Sequence, residues 1–260
     1  MKKIGFIGMG NMAGAIAKGI IQSGFIQGGD IIAYDLQLEK LEDIHTYGVA
    51  VASNETEVVK ESEFVFIGVK PQVVEGVLSL IKNDLKEKAL ISIVLGYDFE
   101  KYNQLLDSST RHIFVMPNTP AMVQKGMSLI EKTHSLTDKE FEFVKRMFAS
   151  IGEIDILETS LMKAGGALSG CGPAFIYMVI EALADGAVKE GIPRQKAYKL
   201  AAQTVLGAGE MVLKTQEHPG ILKDNVCSPG GTTIRGVEAL EQHGIRAAFI
   251  DAISQSIQKK

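Results

Sequence analysis

The stretch Ile4-Gly5-Phe6-Ile7-Gly8-Met9-Gly10-Asn11-Met12-Ala13 decides how the rest of the chain is read. The apolar run from Lys3 to Ile7 has the length of a buried strand, and it stops at a glycine. From Met12 to Ile21 the apolar spacing becomes helical. Between them lies the pattern G-x-G-x-x-A. Gly8 makes a tight turn, Gly10 lets backbone approach a pyrophosphate, and Ala13 lets helix and strand pack closely. The start of the helix then faces the phosphates with free N–H groups and positive partial charge. Residues Ile7 to Met12 (Ile7, Gly8, Met9, Gly10, Asn11, Met12) are therefore the first cofactor-binding candidates.

A lone match of this kind says little, and its surroundings say more. Asp30 to Tyr34 reads as a second strand that closes on Asp35, close to where a ribose-binding acid belongs. A carboxylate there accepts from both ribose hydroxyls and repels a 2′-phosphate, so Asp35 favours NADH over NADPH. Lys40 softens that preference, but no arginine adjoins Asp35.

Further along, Gln37 to about His45 reads as a polar helix, with a short strand near Val49 and a longer one from Glu63 to Val69. Pro71 opens another helix, as proline prefers the first turn. Ala89 to Leu95, His112 to Met116, Gly126 to Glu131 and Gly152 to Ile156 are strands, with a helix from Asp138 to Ser150. Strands and helices alternating at these lengths predict a doubly wound parallel sheet, α/β of Rossmann type, covered on both faces. Val69, Lys70 and Pro71 close one strand, and Asn118 sits in a proline-stiffened turn closing another. Both lie at the sheet edge where such folds bind ligands.

After Thr159 the character changes. Leu161 to Ser169, Pro173 to Glu190, Pro193 to Lys214, Thr233 to His243 and Ile245 to Ile257 all read as helices. Two domains are expected: residues 1–160 bind the dinucleotide, and residues 161–260 form an all-helical half. The helix from Pro173 to Glu190 is apolar around most of its circumference, including Phe175, Ile176, Met178, Val179 and Leu183. A helix of that kind must be covered on most sides, by a second subunit or by the rest of its own chain, and the small helical half favours a second subunit.

Composition narrows the partners. With 22% charged residues and a net charge of −4, no segment forms a basic block, so a nucleic-acid partner is not expected. Cys171 and Cys227 show no metal-ligand or disulfide spacing, so neither a metal site nor a disulfide framework is expected. Lys2-Lys3 and the following apolar run imitate a secretory signal, but the run ends in the glycine turn. No stretch reaches the ~20 uninterrupted apolar residues of a membrane span. A cytoplasmic location follows as the expectation.

The most unusual stretch is His218-Pro219-Gly220-Ile221-Leu222-Lys223-Asp224-Asn225-Val226-Cys227-Ser228-Pro229-Gly230-Gly231-Thr232-Thr233. A short helix runs into a Ser-Pro-Gly-Gly-Thr-Thr loop and then into the next helix. Freed backbone N–H groups and a new helix start suit a small anion such as a carboxylate. Plain N-capping by Thr232 or Thr233 explains the same residues.

With this block, the chain resembles the pyrroline-5-carboxylate reductase family. The likeness runs through Ile4 to Gly8, Val69-Lys70-Pro71, Met116 to Pro120, Ser169-Gly170-Cys171-Gly172-Pro173-Ala174 and His218 to Thr233. The resemblance implies hydride transfer from NADPH or NADH to the imine carbon of 1-pyrroline-5-carboxylate, giving L-proline. It implies that Ser228, Gly230, Gly231, Thr232 and Thr233 hold the substrate, with the Thr233 hydroxyl on the ring nitrogen as the catalytic contact. It also assigns Asn54, Val69, Lys70, Leu95 and Asn225 to the cofactor, and it implies homodimers through the helical half, often built into larger rings. A protonated cyclic imine is already electrophilic, so positioning carries most of the catalysis.

Two residues depart from the family's habit. Asp35 stands where a small or basic residue is common, so its leaning to NADH opposes the NADPH that the resemblance implies and leaves both donors open, and Cys171 replaces the usual serine of its motif. Two other readings compete. A hydroxyacid dehydrogenase of similar fold would carry a lysine inside the long helix, and Ala174 to Val188 has none. A non-catalytic dinucleotide-binding relative would have no use for an intact Ser228 to Thr233 loop.

Overall fold

The computed structural model describes residues 1–257. Among these residues eight strands form one sheet: β1 (Lys2–Ile7), β2 (Ile31–Tyr34), β3 (Ala50–Val51), β4 (Ser62–Ile67), β5 (Ala89–Ser92), β6 (Arg111–Met116), β7 (Gly126–Glu131) and β8 (Gly152–Leu157). Their order is β3-β2-β1-β4-β5-β6-β7-β8. Around them lie α1 (Asn11–Gln22), α2 (Leu38–His45), α3 (Glu55–Glu61), α4 (Val74–Ile81), α5 (Phe99–Leu105), α6 (Asp138–Ala149) and α7 (Thr159–Ser169).

Alternation of side chains along each strand builds two cores. Ile4, Phe6, Phe64, Phe66 and Ile91 pack with α1, α2 and α6 on one face. Ile7, Val65, Ile67 and Leu90 pack with α3, α4 and α5 on the other. Because both faces are covered, these strands read as continuous apolar runs. The Phe6 and Phe66 rings, 4.6 Å apart, sit at the centre and are fully buried. Each such side chain contributes roughly 1.5–3 kcal/mol through burial.

The sheet is not parallel throughout. β7 runs antiparallel to β6, with Val115 opposite Ile130, and β8 returns parallel to β7. Only a loop with a 3₁₀ turn (Thr119–Val123) joins β6 to β7. A parallel neighbour would need a crossover of a dozen residues or more. The doubly wound parallel sheet expected from the sequence is present, with β6–β7 as its one antiparallel pairing among the described residues.

The chain divides into two compact units, Met1–Gly170 and the residues from Cys171 onward. Helix α7, which follows the boundary expected near residue 160, packs on the sheet. A Cβ on Gly165 would lie 2.6 Å from Leu129 Cδ1, and one on Gly166 would lie 2.1 Å from Met116 Sδ. Met162 joins Phe114 and Leu129 in a small core of their own.

The second unit holds α8 (Gly172–Lys189), α9 (Arg194–Thr215), α10 (Pro219–Asn225), α11 (Thr232–Gln242) and α12 (Ile245–Ile257). Its own core is slight: Ala184 of α8 meets Ala197 and Ala201 of α9, flanked by Ile180 and Val188. Of α8 only Ala184 is buried, while Tyr177 and Met178 are 59% and 68% exposed. Among the described residues of its own unit, little more than α9 packs on this helix. By length and composition alone Thr159–Lys189 could cross a membrane, although its apolar run is interrupted by Lys163, Glu181 and Asp185.

Candidate dinucleotide and substrate sites

The ends of β1, β2 and β4 converge on the glycine turn. Gly8 N–H donates to Tyr34 O at 2.8 Å, and Gly68 N–H donates to Ile7 O at 2.9 Å. Gly8 has φ +87°, and a Cβ there would meet Val69 Cγ1 at 2.7 Å, so conformation and space both demand glycine. Gly10 is different. A Cβ there would approach only Gly68 O, at 4.0 Å, so no protein contact forbids it. Its missing side chain leaves room on the outer side of the turn, which is the cradle a pyrophosphate needs. Gly68, in turn, would place a Cβ 2.6 Å from Ala13 Cβ, which explains the small third residue of the motif. Helix α1 starts at Gly10 with no side-chain cap, leaving its first N–H groups open to an anion.

The other first-unit candidates fall into three groups. Ile7 and Met9 are buried, so only their backbone can face a cofactor, whereas Asn11 is exposed and Met12 half-buried. Asp35 directly follows β2 and is half-buried; its Oδ2 accepts from Met9 N–H at 2.6 Å and its Oδ1 from Gln37 N–H at 2.8 Å. Asn54 caps α3 by accepting from Glu57 N–H at 2.9 Å. Val69, Lys70 and Pro71 follow β4 along the same edge, with Lys70 exposed, and Leu95 follows β5 at 60% exposure.

Asn118 has a structural task that the sequence does not reveal. It is 7% exposed, its Nδ2 donates to Ser169 O at 2.9 Å, and its Oδ1 accepts from Met127 N–H at 2.8 Å. The side chain ties the loop after β6 to β7 and to the end of α7. Sequence reasoning placed Gly68 only at the end of its strand, without its packing role, and passed over Tyr97. Gly68 stands directly before Val69, where the tight fit against Ala13 could have been suspected; nothing in the sequence singles out Tyr97.

In the second unit, Asn225 ends α10 and the loop from Ser228 leads into α11. Gly230 has φ +70°, and Gly231 N–H donates to Ser228 O at 3.0 Å. A Cβ on Gly231 would lie 2.4 Å from Ser228 Oγ and 3.0 Å from Ser228 O, so a larger residue there would have to displace the Ser228 side chain. The N-cap of α11 is Gly231, with no side-chain cap bond. The capping explanation for Thr232 and Thr233 is thereby overturned: both are exposed, and neither hydroxyl serves the helix start. Arg235 Nη2 donates to Gly230 O at 3.2 Å and adds positive charge beside the loop.

A sheet with an uncapped helix behind a glycine turn, joined to an all-helical unit, defines a dinucleotide-dependent oxidoreductase. Residues 3–96 match the family model for NADP oxidoreductase, coenzyme F420-dependent, and residues 159–260 match that for pyrroline-5-carboxylate reductase dimerisation. The chain is 43% identical to a pyrroline-5-carboxylate reductase of Methanosarcina acetivorans, covering 99% of this chain and 96% of the relative. It is 44% identical to one of Arabidopsis thaliana, covering 96% and 91%. The crystal structure of the Plasmodium falciparum pyrroline carboxylate reductase with NADP bound superposes with a TM-score of 0.89 at 31% identity, covering 98% of this chain and 95% of that one. The chain belongs to the pyrroline-5-carboxylate reductase family. It is an oxidoreductase that uses NAD(P)H, and its helical half makes it a homo-oligomer.

Proposed function

We propose that this protein reduces 1-pyrroline-5-carboxylate to L-proline. The observation that carries the reading is full-length identity of 43% to a pyrroline-5-carboxylate reductase, in a chain whose Ser228 to Thr233 loop is built for an anion. The loop receives the substrate carboxylate on backbone N–H groups at the uncapped start of α11. The exposed Thr233 hydroxyl meets the ring nitrogen and holds the imine in one orientation. Bound at the glycine turn, the dinucleotide supplies the hydride. Asp35 makes NADH the preferred donor, because a 2′-phosphate would face a carboxylate already anchored to that turn.

The apolar faces of α8 and α9 dock on a second copy of the chain rather than on lipid. Glu181 and Asp185 lie within α8 and would be costly in a bilayer. Dimers assemble further into a ring, as the family resemblance implies. The location is cytoplasmic, where a reducing environment keeps the free Cys171 and Cys227 as thiols.

The decisive experiment incubates purified protein with 1-pyrroline-5-carboxylate and NADH or NADPH. Dinucleotide oxidation coupled to proline formation is expected, and none above background would refute the proposal. A hydroxyacid oxidoreductase would instead turn over with hydroxyacids and NAD⁺.

A further inference from the structure

The loops that leave β4 and β5 lie side by side at the edge that carries Lys70, Pro71 and Leu95. Their backbones part early. The last main-chain bond between them runs from Ile93 N–H to Ile67 O, at 3.2 Å, and among the described residues none joins 68–73 to 94–98. Beyond that point a side-chain hydrogen bond spans the two, in addition to apolar packing.

Tyr97 follows a turn in which its own N–H donates to Val94 O at 3.2 Å. Its ring is 7% exposed and leans on Tyr102, with centroids 5.6 Å apart. From there the hydroxyl reaches across to the other loop, where it is shared between Glu75 Oε1 at 3.1 Å and Pro71 O at 3.3 Å. Lys101 completes the group: its Nζ lies 4.2 Å from the Tyr97 ring centroid and 3.7 Å from Glu75 Oε1. The base of the β5 loop is pinned as well. Ser92 Oγ is 2.7 Å from the Tyr102 hydroxyl and accepts from Val94 N–H at 3.1 Å.

We infer that Tyr97 is a positioning residue for the dinucleotide, a brace that holds the Lys70-Pro71 loop and the Leu95 loop at a fixed separation. The inference rests on the reading of this sheet edge as the cofactor edge. A residue set on a rigid core and bonded across a gap orders both loops before the ligand arrives, and preorganisation acts on affinity. The brace's hydrogen bonds all lie within the sheet unit, so it acts on dinucleotide binding and leaves the chemical step alone.

The test uses the full-length enzyme and the Tyr97→Phe variant, which keeps the ring packing and removes only the hydroxyl. The dinucleotide Kd, read by NADH fluorescence, and the KM for NADH are expected to rise together by about fivefold, the size of one lost hydrogen bond. The kcat at saturating dinucleotide should stay within about twofold. Glu75→Gln retains an acceptor for the hydroxyl and should bind like the parent, separating the brace from the Lys101 ion pair. Glu75→Leu alters an exposed side chain, is not expected to disturb folding, and should weaken binding by a smaller factor because Pro71 O remains. An unchanged Kd in Tyr97→Phe overturns the brace, whatever happens in Glu75→Leu or to thermal stability. A Gly10→Val control tells the two ideas apart. If it abolishes NADH binding while Tyr97→Phe leaves Kd unchanged, only the brace fails; if Gly10→Val also binds normally, the cofactor edge has been misassigned and the brace falls with it.

Discussion

The Asp35 carboxylate meets the glycine turn directly, since Met9 N–H reaches Oδ2 at 2.6 Å. Each carboxylate oxygen has a second acceptor site, so this bond and a ribose bond can coexist. The consequence is that cofactor choice and grip on the pyrophosphate share one residue. Asp35→Asn keeps an acceptor for Met9 and removes the charge. Asp35→Ser removes both the charge and the reach. Both should raise the NADPH-to-NADH ratio of kcat/KM, and the serine variant should also lose affinity for either dinucleotide. A ratio unmoved in both variants would mean that the carboxylate does not meet the ribose. Thr233 is argued in the same way. With no capping bond to lose, Thr233→Val should reduce kcat/KM by an amount worth about 1–3 kcal/mol if the hydroxyl serves the ring nitrogen. A rate near that of the parent would remove it from the reaction. At this scale the sequence was most legible where backbone conformation and close packing together dictate residue type, as at Gly8. It was least legible where a side chain works at long range. Asn118 reads in the sequence as a ligand contact alone, and nothing there shows that Ser169, distant in the chain, receives its amide.

Among the elements, the strands around the glycine turn were plain from their apolar runs, because burial on both faces leaves no ambiguity. Two helices of seven residues, α3 and α5, had no reading at all. Each spans barely two turns, too short for a periodic pattern, and is announced only by a capping residue, Asn54 or Asp98. The direction of β7 was hidden for a different reason. An apolar run reads the same whichever way the strand points, and only the absence of a crossover helix decides it. The far end of the sheet also holds a testable ion pair. Arg111 grips Glu140 with two nitrogens, Nε to Oε2 and Nη2 to Oε1, both at 2.8 Å, and Glu140 also caps α6 with Thr137. Burial pushes the Glu140 carboxyl up, but the Arg111 and Thr137 hydrogen bonds outweigh it and hold the pKa below the ordinary value. A depressed folded pKa stabilises the protein above the ordinary carboxylate range, and that stability is lost as pH falls through the folded value. Arg111→Leu should therefore cost about 1.5–3 kcal/mol near neutral pH. The difference from the parent should shrink in acid. Urea unfolding at about pH 7 and about pH 3 measures both, and equal differences at the two values would deny the pair its electrostatic part.

For the whole molecule, the two units differ in how they reach stability. The first has a core on each face of its sheet, and the second buries little more than a patch of alanines between α8 and α9. Side chains such as Met178, Leu183, Leu206 and Met211 are about half exposed or more in the single chain. A unit with so little core of its own needs a partner to remain folded, and burying these residues against a second copy supplies the missing apolar contact. Part of this was legible, since the sequence showed a helix apolar on most sides; that its own chain would leave it bare needed coordinates. Stability should therefore depend on protein concentration, with the thermal midpoint of the helical unit rising as the chain is concentrated. Replacing Met178 and Leu206 together by glutamate places charges where apolar contact is required. Sedimentation of this double variant should show a smaller species than the parent. The sheet unit should keep its fold, so NADH binding at the glycine turn should survive while reduction of 1-pyrroline-5-carboxylate is lost. A variant that sediments like the parent would show that these faces are not where the copies meet. A monomer with full activity would show that the helical unit can hold substrate without its partner.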